Sequence, residues 1–157
     1  MKNAAACLLA ALLASGCAEM TPRESSGRDM KIAFDLTDGN PQVLLAKLNT
    51  IDLTRKQIVE AGMTPRMILA FRGGASQYTQ QSVAHVKPED RADALRVASR
   101  LRELAKAPGV ESLEQCNVTL GRLKLTDKGL LEPVKVVPNG WISLATYQQK
   151  GYSYIAP

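Results

Sequence analysis

Arg66 to Phe71 reads Arg-Met-Ile-Leu-Ala-Phe, five apolar residues in a row behind one cation, and the run stops at Arg72-Gly73-Gly74-Ala75. A strand with one face in water alternates apolar and polar side chains. A strand covered on both faces does not, and reads as a continuous apolar run. Such a strand belongs inside a parallel sheet with helices on its faces. The glycines that follow permit a tight turn and a close approach of backbone to a ligand.

The rest of the chain can be arranged around that strand. Lys31 to Thr37 is a first strand, turned by Asp38-Gly39-Asn40-Pro41. Asn40 is placed to cap a helix that has Pro41 at its first position. Val43, Leu44, Leu48, Ile51, Ile58 and Val59 then recur at roughly helical spacing as far as Ala61, and Gly62 is a stop. Ser76 to Val86 is polar, without a period that assigns it. Pro88 to Ala107 is the clearest helix, with Leu95, Ala98, Leu101, Leu104 and Ala105 as its stripe and Pro108-Gly109 beyond it. Val110 and Leu113 mark a short strand that stops at Cys116. Asn117 can cap a short helix whose apolar side is Val118, Leu120, Leu123 and Leu125. Thr126-Asp127-Lys128-Gly129 reads as a turn, and Val134 to Val137 as a fourth strand ending in Pro138-Asn139-Gly140. Trp141 to Lys150 is a second short helix, with Ile142, Leu144, Ala145 and Tyr147 as its apolar members. Gly151 to Ile155 is a last strand. Alternating strands and helices predict an α/β domain with a mainly parallel five-stranded sheet and helices on both faces. The length, 157 residues, suits one domain, and 45% hydrophobic content suffices for a core.

Cys116 stands out in this arrangement. It falls between the carboxyl end of a strand and the start of a helix, where unpaired N–H groups and the helix dipole favour negative charge and so a thiolate. Carboxyl ends of parallel strands share one sheet edge, the usual crevice of an open α/β fold. The loops Thr37-Asp38-Gly39, Arg72-Gly73-Gly74 and Pro138-Asn139-Gly140 should therefore gather near Cys116. Arg72 can favour the thiolate or bind an anionic sulfur species, or it is a solvated loop arginine. Asn117 and Thr119 can donate hydrogen bonds near the sulfur or simply cap the helix.

Other chemistries find little footing. One histidine, His85, and one thiol in the folded part form no recognisable metal-ligand pattern, so no metal is expected. No nucleophile-elbow motif supports a serine triad. Asp38 sits where a phosphate cradle would need donors, which argues against a flavin, and no cofactor is expected. The net charge is +5, but its cations are interspersed with acids, which suits a solvated surface and not a nucleic-acid footprint.

The first residues have their own pattern. Lys2 precedes an Ala/Leu run from Ala4 to Leu13, too short to span a bilayer, and Ala14-Ser15-Gly16-Cys17 closes it. This resembles a bacterial lipoprotein signal with Cys17 as the acylated first residue, although Ala14 stands where Leu is usual. An ordinary signal peptidase would also cut between Gly16 and Cys17. The expected organisation is a signal peptide over 1–16, a Pro- and Gly-broken tether over 17–29, and a domain over 30–157. Ala18 after Cys17, by resemblance to lipoproteins of two-membrane bacteria, implies the periplasmic face of the outer membrane. Cys7 is lost with the signal, leaving Cys116 as the folded domain's free thiol.

From Met30 to Pro157 the chain resembles the DsrE/DsrF-like family of sulfur-relay proteins. The likeness is carried by Gly109-Val110, by Gln115-Cys116-Asn117-Val118-Thr119-Leu120, by Val136-Val137-Pro138-Asn139-Gly140, and by Gln148 to Pro157. It implies a flavodoxin-like three-layer sandwich, a persulfide carried on Cys116, a sulfur donor or acceptor as partner, and a homo-oligomer, commonly a trimer or hexamer. A histidine that often precedes the glycine in the family is replaced here by Arg72. Two functions follow: an exported sulfur carrier working through Cys116, or a membrane-tethered interaction module in which Cys116 is packing. Thiol accessibility separates them.

Overall fold

The computed structural model describes residues 28–157. The expected signal, Cys17 and all of the tether up to Gly27 lie outside the described residues. Five strands form one parallel sheet: β1 (Asp29–Leu36), β2 (Thr64–Phe71), β3 (Val110–Cys116), β4 (Val134–Val137) and β5 (Ser153–Ile155), in the order β4-β3-β2-β1-β5. Four helices connect them: α1 (Pro41–Glu60), α2 (Arg91–Leu104), α3 (Asn117–Arg122) and α4 (Gly140–Gln149). Asp29, expected in the tether, already pairs with Thr64 in β1.

The two sheet faces differ. Phe34, Leu36, Met67, Leu69, Phe71 and Leu113 pack against α1, α2 and Leu120 of α3 in one large aliphatic core. Ala33, Ile68 and Ala70 turn to the other face, where only α4 covers them through Leu144 and Tyr147, with Tyr152 beside it. The continuous run in β2 is explained by this: both faces of Met67–Phe71 are covered.

The expected helix stripes were correct in part. Leu44, Leu48, Ile51 and Ile58 of α1 are buried, but Val43 and Val59 are exposed. Each sits one residue, about 100° of helix, off the buried line. Likewise α2 buries Ala94, Val97, Ala98, Leu101 and Leu104 and exposes Leu95. Of the expected apolar members of α4 only Leu144 is buried, and Ile142 and Ala145 face outward. The polar stretch left unassigned, Ser76 to Val86, begins inside a 3-10 segment, Gly73–Thr79. Asp52 of α1 joins the two long helices, pairing with Arg55 and Lys56 on its own helix and with Arg100 of α2 at 2.8 Å.

Two features place the site. First, the chain leaves β3 towards α3 on the large-core face and leaves β4 towards α4 on the opposite face. Neighbouring strands whose connections diverge in this way leave a crevice at their carboxyl ends. Second, β3 carries one extra residue. Val110 pairs with Met67 but Ser112 with Ile68, so Glu111 is bulged out of register. Glu111 there accepts from Arg66 Nε and the Tyr152 hydroxyl.

Candidate functional site

Cys116 is the last residue of β3 and the N-cap of α3. Asn117, expected as the cap, is instead the first helical residue and is exposed, and its side chain caps nothing. The Cys116 side chain makes no capping hydrogen bond to α3. The Gly140 N–H, at the start of α4, donates to Cys116 Sγ at 3.2 Å. Burial pushes the thiol's pKa up. The N–H of Gly140, the N–H and hydroxyl of Thr119 and the N–H of Val118 outweigh it, and the thiol is held below its ordinary value. The thiol is less open than sequence reasoning required, with only 4% of Cys116 exposed, and it is reached through a pocket.

That pocket, about 260 Å³, lies in the β3/β4 crevice. Thr37, Arg72, Gly73 and Asn139 line it from three of the strand-end loops, Val118, Thr119 and Arg122 from α3, Leu123 from just beyond it, and Trp141 from α4. The expected gathering of loops therefore occurs, with exceptions. Asp38 is absent from the lining and pairs with Lys47 at 2.6 Å. Gly74 packs on Gly39, where a Cβ would overlap backbone, so its role is loop-on-loop contact and not ligand approach. Gly140 is also required: an added Cβ would lie 2.6 Å from Arg72 Cδ and 3.1 Å from Cys116 Cβ. Asn139 caps α4 by accepting from the Trp141 N–H at 3.0 Å.

Arg72 is neither a solvated loop residue nor a free anion binder. Its Nε donates to Asp35 Oδ1 at 2.8 Å and its Nη2 pairs with Asp35 Oδ2, a two-point clamp on a buried carboxylate. The Tyr154 hydroxyl donates to the same carboxylate at 2.7 Å. The Trp141 ring lies 5.6 Å from the guanidinium carbon. The charge of Arg72 is thus largely answered from below. This strut ties β1, β2, β5 and the start of α4 together.

Sequence reasoning missed Asp35, Arg122 and the polar residues that hold β3. Glu114 is buried and accepts from the Ser143 hydroxyl and, at 2.6 Å, from the Tyr147 hydroxyl, which fastens α4 over the sheet. Gln115, fully buried, accepts from Thr79 Oγ1 at 2.9 Å and donates to Ser76 Oγ at 2.7 Å and to the Cys116 carbonyl at 2.9 Å. The residue beside the thiol is thereby locked. His85 is exposed with a ring nitrogen 2.8 Å from the Gln77 carbonyl. Among the described residues no group of three metal-ligating side chains comes together, and no helix is long and apolar enough to cross a membrane.

Comparison with known proteins agrees with this fold. The model of the DsrE/DsrF-like family matches residues 12–157. An uncharacterized protein of Aquifex aeolicus (strain VF5) is 24% identical over 126 residues, 80% of this chain, and the chain spans about half, 55%, of that relative's length. The solved structure of a protein of unknown function from Methanobacterium thermoautotrophicum superposes with a TM-score of 0.55 at 18% identity. That match covers 82% of this chain and 98% of the other, a likeness of fold.

Proposed function

This chain belongs to the DsrE/DsrF-like family, and from that premise we propose that it is a sulfur-handling protein in which Cys116 accepts sulfane sulfur and passes it on. The observation that carries the reading is the Gly140 N–H donating to Cys116 Sγ on the floor of the crevice pocket, with the Thr119 and Val118 donors around it. Donors arranged about a sulfur stabilise a thiolate before reaction and the terminal sulfur of a persulfide after it. The partner is a sulfur donor or acceptor, protein or small molecule. Trp141 and Ile142, 69% and 66% exposed on α4, support a homo-oligomer that uses this face.

The same proposal places the protein in the cell envelope, at the periplasmic face of the outer membrane, held by acyl chains on Cys17. Support comes from Ala14-Ser15-Gly16-Cys17 behind the short apolar run. Intact mass of the purified N-terminus tests this part, and an unmodified Cys17 or a retained Met1 refutes it.

The second reading, an interaction module with a packed cysteine, draws on the 4% exposure of Cys116. One experiment separates the two. Polysulfide should add a reducible sulfur to folded wild-type protein at Cys116, and Cys116→Ser should remove that mass while keeping the fold. If Cys116 reacts only after denaturation, the carrier reading fails and the module reading stands.

A further inference from the structure

The pocket above Cys116 contains two cations in different states. Arg72 is clamped by Asp35. Arg122, on the last turn of α3, lines the same pocket and has no ion-pair partner among the described residues. Val118 of α3, Leu123 at its C-cap and Trp141 of α4 line the same pocket, and all three are exposed to solvent as large apolar side chains. The pocket thus combines a sulfur nucleophile at its floor, an apolar wall and one uncompensated positive charge. A monatomic sulfur species would use only the floor. A substrate that uses all three has an anionic group and an apolar body joined to its transferable sulfur. We propose that the donor is a small organic thiosulfonate, R–SO₂–S⁻, with R apolar, and that Arg122 holds its sulfonyl oxygens. This rests on the carrier reading above.

The reaction balances without a further reagent. The Cys116 thiolate attacks the terminal sulfur, and a bond forms between Sγ and that sulfur. The sulfur–sulfur bond of the donor breaks, and its electron pair leaves with the sulfinate, R–SO₂⁻. Cys116 ends as the persulfide anion, which has gained the sulfane sulfur while the donor's remaining sulfur is reduced to the sulfinate. Arg122 is suited to this step because the leaving group is an anion with two oxygens, which a guanidinium meets in a forked geometry. Val118, Leu123 and Trp141 favour an R group over water.

The test is persulfide formation at Cys116, followed by intact mass, with benzenethiosulfonate, inorganic thiosulfate and polysulfide as the three donors. Benzenethiosulfonate should react about tenfold faster than thiosulfate, which carries the anion without the apolar body. Arg122→Gln should slow the benzenethiosulfonate reaction about tenfold, the loss of a charge-assisted contact, and should lower the ratio of iodoacetate to iodoacetamide alkylation rates at Cys116. Trp141→Ala should bring the benzenethiosulfonate rate down towards the thiosulfate rate. Equal rates for the two anionic donors, or an Arg122→Gln variant with both rate ratios unaltered, overturn the proposal. Polysulfide labelling without thiosulfonate labelling refutes the donor class alone. The absence of labelling by any of the three refutes the carrier reading beneath it.

Discussion

Gly140→Ala adds one methyl group at the position that supplies the sulfur's donor. The new Cβ would sit 2.6 Å from Arg72 Cδ, 3.0 Å from Arg72 Cγ and 3.1 Å from Cys116 Cβ. Carbon atoms in contact prefer about 3.5–4.0 Å, so roughly 1 Å of displacement is needed. Arg72 is clamped on Asp35 and lies against Trp141. Cys116 is paired in the sheet with Val137. The first turn of α4 is the part left to move, and its movement carries the Gly140 N–H away from a sulfur it now meets at 3.2 Å. A hydrogen bond to a charged group contributes about 1.5–3 kcal/mol, so its loss lowers the thiolate population at least about tenfold at any pH below the thiol's midpoint. The overpacking itself should cost about 1–3 kcal/mol of stability, read by urea unfolding. The assay is the iodoacetamide rate at Cys116 as a function of pH. We expect the midpoint of the profile to move up, with the high-pH plateau little changed. A folded Gly140→Ala protein whose profile overlays the wild type would falsify the assignment of Gly140 as the thiolate's donor.

Three further outcomes follow from the same contacts. Arg72→Met should destabilise the fold by about 3–5 kcal/mol, because it leaves the Asp35 carboxylate buried without its cation; urea unfolding should show Arg72→Met combined with Asp35→Asn to be more stable than Arg72→Met alone, and the reverse order sinks the argument. Burial pushes the Asp52 carboxyl up, but hydrogen bonds from Arg55, Lys56 and Arg100 outweigh it and hold its pKa at about 2, below its ordinary 3.8. The resulting stabilisation is therefore present above about pH 4 and is lost as pH falls through about 2. Linkage gives about 2 kcal/mol, reduced to about 1 by solvent on the exposed Lys56 side, and Asp52→Asn should flatten the acid limb of a Tm-against-pH curve. Gln115→Ala should cost about 2–4 kcal/mol by leaving a cavity and stranding the Ser76 hydroxyl; a thermal melt that matches the wild type would show that the network does not hold β3.

The sheet was legible because its evidence is local. Met67 to Phe71 announces a strand covered on both faces, Asn40-Pro41 announces a helix start, and the order of these signals gives a parallel α/β topology. The carboxyl-edge placement of Cys116, Gly73 and Asn139 followed from that topology alone. What escaped depends on partners distant in the chain. Glu114-Gln115 looks polar enough to end a strand, yet both residues are buried because Ser143 and Tyr147 answer one and Ser76 and Thr79 the other. Arg72 reads as a loop cation until Asp35, on the neighbouring strand, is seen beneath it. Arg122 lies on a helix of six residues, too short to reveal by its own period which way a side chain faces. The role of Asn117 was misjudged because an asparagine before an apolar run is the commoner cap, whereas here a thiol occupies that place.

The bulge at Glu111 has a consequence for how this thiol can be kept or lost in evolution. Side chains along a strand alternate sides, so the number of residues between two pairing points decides, as odd or even, which layer each later residue enters. Val110 and Leu113 both face the large aliphatic core only because Glu111 is looped out between them. Counting on from Leu113, Gln115 enters that core and Cys116 turns to the opposite layer, beneath Gly140. Deleting Glu111 itself would only flatten the bulge, but deleting one regularly paired residue between Ser112 and Glu114, with the bulge kept, would reverse the count for everything after it. Gln115 would then stand under α4 and the sulfur would turn to the side of Ser76 and Thr79, away from the Gly140 N–H. The position of the nucleophile is therefore stored partly as a parity, so an insertion or deletion of one residue between the bulge and Cys116 is a change of chemistry, whereas one of two is a change of length.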